Sequence, residues 1–365
     1  MKRIVILLTA LFLLQLNNLS VFGQIKDLAN MVTGLNEDKA AVENLFQAYL
    51  KPYANAFGAN LNGGWYNTAK PHKLFGFDLT LTISTSFVPS SDKTFDPTNV
   101  LGSKFKMTQS TTSAPTVAGD NKTGPEITYQ NSVKFRTPKG TGVGFIPSPM
   151  LQLGIGLIKQ TDVTVRYMPT FNISDFGSMN MWGVGVKHSL KQWIPGIKMA
   201  PFFNLSVFGG YTRLSTTANL NLQQEYYSTN LNAVIENPSL KYDNQKMEFV
   251  ANGFTGNVIA SFDLPVITFY GGAGFSSTNT SLKLKGDYPM VKLETTGANA
   301  GKLVVKDINK LTNPLDIEMK SMDGSKTKPR LNAGFRLKFA VVTLHFDYTY
   351  ANYSVATAGL GISFR

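Results

Sequence analysis

Residues 329–365 alternate between apolar and polar side chains over three segments of about ten residues each. In the first segment, one face consists of Leu331, Ala333, Phe335, Leu337 and Phe339, and the other of Arg330, Asn332, Gly334, Arg336 and Lys338. Residues two apart share a face of a strand, so each segment has an apolar face and a polar face. In a soluble protein a second layer would have to cover the apolar face of the sheet, whereas in a bilayer lipid covers it. The pattern therefore predicts membrane-spanning β-strands.

The same period-two pattern begins at Phe75 and runs to Phe87. We predict further strands at 149–158, 163–171, 179–190, 201–214, 247–262 and 266–284, followed by the final three. Short and long connections between these strands mostly alternate along the chain, as they do in outer-membrane barrels. The fold class is therefore all-β: a closed antiparallel transmembrane β-barrel with a short N-terminal helix. Ten strands are counted, and β-forming residues in the long loops, at 126–136 and 302–306, extend the range to fourteen, with twelve preferred. A soluble β-sandwich with aromatic core residues is the alternative.

Residues 1–23 have the pattern of a secretory signal peptide, with Lys2 and Arg3 before an apolar stretch and Gly23 at the expected cleavage site. A membrane anchor is the alternative. The apolar stretch is shorter than the roughly 20 residues that a spanning helix needs, which favours the signal peptide. We therefore predict export from the cytoplasm and a mature chain that begins at Gln24.

Residues 24–72 are predicted to form a helical plug or a periplasmic segment ahead of a barrel at 73–365. Apolar residues between 36 and 57 recur at helical spacing, and Pro52 is expected to kink or end this helix. The helix could fill the lumen, lie on the membrane surface or sit free in the periplasm. Its aromatic content favours the first two positions.

The composition is consistent with a membrane barrel and narrows the chemistry. The chain has no cysteine, which removes disulfides, thiolate nucleophiles and a lipidated N-terminal cysteine. Aromatic residues make up 12% and charged residues 16%, and the formal net charge is +12. Such a charge is compatible with nucleic acid, anionic lipid or solubility, but no nucleic-acid-binding motif accompanies it.

Sequence motifs for catalysis or metal binding are absent. There is no Gly-x-Ser-x-Gly element, no His-Glu-x-x-His and no EF-hand loop. Of the three histidines, His345 lies two residues from Asp347 and so shares its strand face. A pair of this kind is more often structural than catalytic. We therefore predict no enzymatic activity, no catalytic residues, no metal site and no cofactor.

Charged residues on the polar strand faces are the candidate functional residues, because those faces should line the lumen. They are Asp78, Arg166, Lys187, Arg330, Arg336, Lys338, His345 and Asp347. One interpretation is a wall of ion pairs that fills a small barrel. The other is a mildly basic passage for anionic solutes such as carboxylates, phosphates or fatty-acid head groups.

Lysines in the long loops are candidate contacts for lipopolysaccharide phosphates. They are Lys104, Lys106, Lys122, Lys241, Lys246, Lys326 and Lys328. The expected partners are thus outer-membrane lipid and lipopolysaccharide, a small anionic or amphipathic solute, and an envelope protein, with no nucleic acid.

The ending Ala358-Gly359-Leu360-Gly361-Ile362-Ser363-Phe364-Arg365 resembles the C-terminal strands of bacterial outer-membrane barrels, although Arg365 follows the terminal aromatic residue. Two further segments, LNGGWYNTA at 61–69 and GVGVKHSLKQW at 183–193, resemble an uncharacterised family of exported proteins from Bacteroidota. That likeness covers nearly the whole chain and implies no activity. A remoter similarity, a plug followed by an even-stranded barrel, is to the long-chain fatty-acid transporter group, without a motif that assigns residues.

These features together predict a Gram-negative outer-membrane protein. The leading hypothesis is a porin-like channel or transporter for small anionic or amphipathic molecules. The second is a structural or assembly partner in an envelope complex, and the third is an outer-membrane lipid hydrolase.

Overall fold

The computed structural model of the protein describes residues 38–108, 112–129, 133–172, 177–320 and 327–364. The helices are α1 (Lys39–Asn62), α2 (Pro195–Lys198) and α3 (Gln224–Leu231), and three 3-10 turns lie at Ser90–Asp92, Pro97–Asn99 and Lys191–Trp193. In chain order the strands are β1 (Phe77–Phe87), β2 (Thr94–Phe95), β3 (Phe105–Met107), β4 (Ala114–Pro115), β5 (Glu126–Tyr129), β6 (Val133–Arg136), β7 (Phe145–Leu157), β8 (Thr161–Asn172), β9 (Gly177–Ser189), β10 (Phe203–Asn219), β11 (Val234–Ile235), β12 (Lys246–Asp263), β13 (Ile267–Lys285), β14 (Asp287–Leu293), β15 (Leu303–Thr312), β16 (Leu315–Lys320), β17 (Lys328–Phe339), β18 (Val342–Tyr350) and β19 (Val355–Phe364).

Ten antiparallel strands close into a barrel. The order is β12-β10-β9-β8-β7-β1-β19-β18-β17-β13, and β13 pairs with β12 to complete the ring. One extra strand, β16, pairs with the part of β13 that extends beyond β17. The predicted closed antiparallel barrel is therefore confirmed, and its ten strands fall in the predicted range. The preferred number of twelve is wrong, because the additional β-forming segments do not enter the wall.

The period-two pattern produces the wall directly. On β1, Leu79 is exposed on the outside, whereas Thr80 and Thr82 are fully buried on the inside. Full in-register pairing of β1 with β7 and β19 satisfies its backbone groups on both sides. An outer apolar surface around hydrogen-bonded strands is the architecture of outer-membrane proteins.

The two ends of the barrel differ. The end formed by the short connections 158–160, 264–266 and 340–341 is called the turn end, and the last barrel strand also finishes there. The end formed by 88–144, 220–245 and 286–327 is called the loop end. Lys159, Gln160 and Ala340 have positive φ angles, which lets these turns reverse the chain within two or three residues.

The loop end carries a folded cap built from the long connections. It contains the sheets β2-β4, β3-β5-β6 and β11-β15-β14. The predicted extra hairpins at 126–136 and 302–306 belong to these sheets and not to the wall, because their strands pair with other loop strands. Tyr353, in the connection between β18 and β19, is buried at the cap and donates a hydrogen bond to Asp92.

Helix α1 links the cap to the lumen. Its first half places Val42, Leu45, Phe46 and Tyr49 in the apolar core of the cap. Asp38 caps the N-terminus, and the helix continues past Phe57, where we predicted its end, to Asn62. None of the helices in the described ranges has the length and apolar character of a membrane-spanning helix. The predicted signal peptide and the first predicted helical residues, 36 and 37, lie outside the described residues.

Pro52 lies inside α1 without ending it. Contacts on both sides hold the helix in place: Tyr49 donates to the Lys139 carbonyl at 2.8 Å, and the Tyr53 and Thr141 hydroxyls are 2.7 Å apart. Tertiary contacts with the cap therefore outweigh the helix-breaking tendency of proline.

Candidate functional site in the barrel lumen

Residues 61–72, called the plug segment, run through the lumen from the end of α1 towards the turn end. Arg166 on β8 donates from Nη1 to the Leu61 carbonyl at 3.1 Å and from Nη2 to the Gly63 carbonyl at 2.6 Å. Its Nε donates to Gln152 at 3.1 Å. The side chain is fully buried, so the plug segment supplies the acceptors that this charge requires.

Arg330 on β17 makes a second set of contacts of this kind. It donates to the Asn62 carbonyl and to the hydroxyls of Thr255 and Thr349. Across the described ranges, no carboxylate lies within ion-pair distance of Arg166 or Arg330. Two buried cations are therefore stabilised mainly by carbonyl and hydroxyl oxygens.

An aromatic cluster closes the middle of the lumen. Trp65 and Tyr66 of the plug segment pack against Phe208 with ring centres 5.4 and 5.5 Å away. A Cβ atom at Gly185 or Gly210 would come within 2.8 to 2.9 Å of the Phe208 and Trp65 rings. These two glycines therefore leave the space that the cluster occupies.

Charged residues anchor the plug segment at the turn end. His72 Nδ1 lies 3.1 Å from Asp162 Oδ2, and its Nε2 lies 3.3 Å from Asp78 Oδ1. Lys187 Nζ lies 3.0 Å from the same Asp162 oxygen. Asp162 therefore joins the plug segment, β8 and β9 in one buried cluster.

Asp263 is the second acidic anchor. It accepts hydrogen bonds from Thr68 of the plug segment at 2.8 Å and from Ser261 at 2.6 Å. Arg336 Nη2 lies 3.8 Å from its carboxylate, and Arg336 Nη1 donates to Asn67 at 3.2 Å. Wall and plug thus share polar contacts along the whole lumen.

His345 and Asp347 both lie on the buried face of β18, as predicted, but no hydrogen bond or ion pair between them is found. Asp347 accepts from the Tyr270 hydroxyl at 3.1 Å. Neither ring nitrogen of His345 has a hydrogen-bond partner in the described part of the chain. The geometry therefore contains no His–Asp dyad at this position.

All eight predicted residues occupy the inward face of their strands. Seven are buried or nearly so, and Lys338 is half-buried at the turn end. Their role in a solute path stays a prediction. No group of three His, Asp or Glu side chains suited to hold a metal ion is found within the described ranges.

Several residues that form the lumen contacts were not predicted. Asp162 and Asp263 sit at strand ends, where a carboxylate resembles an ordinary turn residue. Trp65 lies in a Gly-rich stretch that suggests a linker. One signal in the sequence could have identified Asp162. It lies four residues before Arg166 on β8, and residues separated by an even number share a face of a strand.

The sequence model of a protein family, described as a family of unknown function (DUF6588), matches residues 1–364. No curated protein matches the sequence. Among solved structures, the chain is similar to the translocator domain of the autotransporter NalP from Neisseria meningitidis, with a TM-score of 0.32, 9% identity and coverage of 87% of this chain and 99% of that one. It is also similar to the toluene transporter TodX from Pseudomonas putida, with a TM-score of 0.27, 8% identity and coverage of 80% and 90%.

The outer membrane protease OmpT from Escherichia coli is similar as well, with a TM-score of 0.34, 8% identity and coverage of 83% of this chain and 100% of that one. Our prediction that the chain is not an enzyme is corrected by this finding, because the structures with a similar fold include a protease. Similarities at these TM-scores assign no activity to the chain.

Proposed function

This chain belongs to DUF6588, a family of unknown function, and we propose that it is a sealed structural barrel of the outer membrane that holds a folded cap at the cell surface. The signal-peptide pattern supports export, and the short turns support a periplasmic turn end. The cap would then face outwards, where an envelope partner or lipopolysaccharide can reach it.

The observation that supports this proposal is the shared contact network of plug and wall. The plug segment accepts from Arg166 and Arg330, bonds to Asp263 and Asp162, and packs two aromatic rings in the middle of the lumen. Displacing it would leave buried charges without acceptors, which costs several kcal/mol for each charge. A segment held in this way acts as part of the core.

Planar-bilayer recording with the purified full chain tests the sealed state. We expect no steady conductance at moderate voltage, together with the heat-modifiable gel migration of a folded barrel. Steady open-channel conductance from the same folded protein would contradict the proposal.

The structural role is tested by co-purification from outer-membrane extracts. A stoichiometric envelope component should be retained by the full chain and lost when the exposed cap residue Lys122 is changed to Glu. Met199→Glu at the turn end is the matched control, because Met199 is as exposed but lies at the opposite end. Loss with the control variant alone would contradict a role for the cap.

A second candidate function is passage of small anionic or amphipathic solutes after the plug segment moves. The observation that favours it is the set of four cations that face the plug, Arg166, Arg330, Lys187 and Arg336, beside the carboxylates of Asp78, Asp162 and Asp263. A conditional opening is compatible with a closed resting state.

A reversible tether separates the two functions. The Thr68 and Ser261 hydroxyls are 3.3 Å apart, and the chain has no native cysteine, so Thr68→Cys with Ser261→Cys should join plug and wall when oxidised. Liposome swelling with small carboxylates is then compared before and after reduction, with Ser261→Cys alone as control. Uptake that appears only after reduction supports passage, and uptake in neither state supports the sealed barrel.

A further inference from the structure

Three methionine side chains, called the methionine row, lie side by side on three neighbouring strands of the wall. Met168 on β8 pairs directly with Met181 on β9. Leu151 on β7 pairs with Tyr167 on β8, so the next position along the two strands brings Met150 beside Met168. Directly opposite residues on neighbouring strands have Cβ atoms about 4.5–5.5 Å apart. The three thioether groups are therefore within reach of one another.

The methionine row faces the lumen. Residues an even number apart share a face of a strand, so Met168 lies on the same inward face of β8 as the buried Arg166. Met150 and Met181 are buried in one apolar cluster with Leu61 at the end of α1. Met168 is half-buried and packs against that cluster. The thioether groups are therefore enclosed between the wall and α1.

A fourth methionine lies between the row and the loop end. Met179 is two residues from Met181 on β9, so it shares the inward face, and it also packs against the apolar cluster. Its side chain is half-buried. An ion that enters from the loop end would therefore meet the Met179 thioether before it reaches the row.

The guanidinium group of Arg166 lies on the turn-end side of the row. Its carbon is 3.6 Å from the centre of the Trp65 ring, and a Cβ atom at Gly185 would lie 2.9 Å from that ring. Gly185 follows Met181 by four residues on β9, in the direction of the turn end. Since a strand rises about 3.3 Å per residue, these two positions are about 13 Å apart along the strand. The arginine charge is therefore directed away from the methionine row.

We propose that the methionine row is a binding site for one Cu(I) ion, with the thioether sulfurs of Met150, Met168 and Met181 as its ligands. Thioethers are neutral, soft donors, and soft sulfur ligands favour Cu(I). Methionine has three rotatable side-chain bonds, so the sulfurs can converge on an ion without movement of the strands. Methionines that only fill the core can be replaced by leucine, which has a similar volume, without any change in metal binding. Replacement by leucine therefore separates a metal site from simple packing.

The test measures Cu(I) binding by the purified full chain in a neutral detergent without oxygen, in competition with the chromophoric chelator bicinchoninate. We expect one Cu(I) ion per chain. Met168→Leu and Met181→Leu should each weaken Cu(I) binding at least about tenfold, because even the loss of a residue that supports a ligand costs about 10–100-fold. Met199→Leu is the matched control, since Met199 is exposed at the turn end and lies outside the row.

X-ray absorption at the copper edge gives a second measurement that needs no variant. The native chain with one bound Cu(I) should show sulfur atoms as the nearest neighbours of the metal. Gel migration of each leucine variant verifies that the barrel is folded. Failure of the native chain to take Cu(I) from the chelator, a copper shell of nitrogen or oxygen atoms, or equal weakening by Met199→Leu would overturn the proposal.

Discussion

The guanidinium carbon of Arg166 lies 3.6 Å from the centre of the Trp65 ring. Arg166 belongs to the barrel wall and Trp65 to the plug segment. The same guanidinium donates to the Leu61 and Gly63 carbonyls of the plug segment. Since the cation is fully buried, its stability depends on these plug contacts. Wall and plug are therefore one folding unit.

Replacing Arg166 with Met should lower the free energy of unfolding by about 3 kcal/mol. The substitution keeps the length of the side chain but removes the Arg166 donors of the Gly63 carbonyl and the Gln152 side-chain oxygen, each loss costing about 1–3 kcal/mol. The Leu61 carbonyl keeps a donor in the Thr212 hydroxyl. The measurement is the folded fraction on gels after incubation in increasing urea. Arg213→Met is the control, because Arg213 is half-buried and donates to a single neighbour, Asn252. Equal destabilisation by the two variants would mean that the plug contacts add nothing.

Two adjacent glycines on β10 provide a matched pair for the aromatic cluster. A Cβ atom at Gly210 would lie 2.8 Å from Phe208 and 2.9 Å from Trp65, whereas one at Gly209 would meet nothing within 4 Å. Gly210→Ala should destabilise the barrel by about 1–3 kcal/mol through overpacking, and Gly209→Ala by much less. Thermal gel-shift assays compare them. A neutral Gly210→Ala would show that the lumen is not tightly filled there.

The buried pair of Lys187 and Asp162 should be strongly coupled. A double-mutant cycle with Lys187→Met and Asp162→Asn is expected to give a coupling free energy of about 1–3 kcal/mol. Each single substitution leaves the other residue as a buried charge without this ion-pair partner. The exposed pair of Lys122 and Asp120, 3.7 Å apart, is the control and should give less than about 1 kcal/mol. Similar values for both pairs would argue against a turn-end anchor.

Tyr353 should make the stability of the contact between the cap and the barrel sensitive to alkaline pH. Burial, followed by its hydrogen bond to Asp92, holds the pKa of Tyr353 above its usual range. Because the folded pKa is raised, this stabilisation is present below the unfolded tyrosine pKa of about 10 and is lost as pH rises beyond it. The stability difference between the native chain and Tyr353→Phe should therefore shrink above pH 10. Tyr350→Phe, which removes a tyrosine hydroxyl at an exposed position, is the control variant.

The wall could be predicted from the sequence because strand parity is a local property. The exposed Leu79 and the buried Thr80 follow from alternation alone. The number of strands could not be predicted in the same way, because the segments 126–136 and 302–306 have the same β propensity whether they pair with the wall or with other loop strands. Only tertiary pairing decides between these outcomes.

The lumen faces of the charged residues were predictable for the same reason, but their partners were not. Arg330 and Arg166 bond to carbonyls of the plug segment, far away in the chain, and backbone acceptors leave no mark on residue type. Helix α1 was predicted from its apolar spacing, yet its extension to Asn62 depends on contacts with β7 and β13.

The central claim is that the loop end, with its cap and the start of α1, faces the cell surface, and cysteine labelling tests this orientation most directly. Ala40 is exposed at the start of α1, and Met199 is exposed at the turn end. The native chain has no cysteine, so each single substitution gives one label site. In intact cells, Ala40→Cys should react with a membrane-impermeant maleimide, and Met199→Cys only after the outer membrane is opened. Labelling of Met199→Cys but not Ala40→Cys in intact cells would contradict the account.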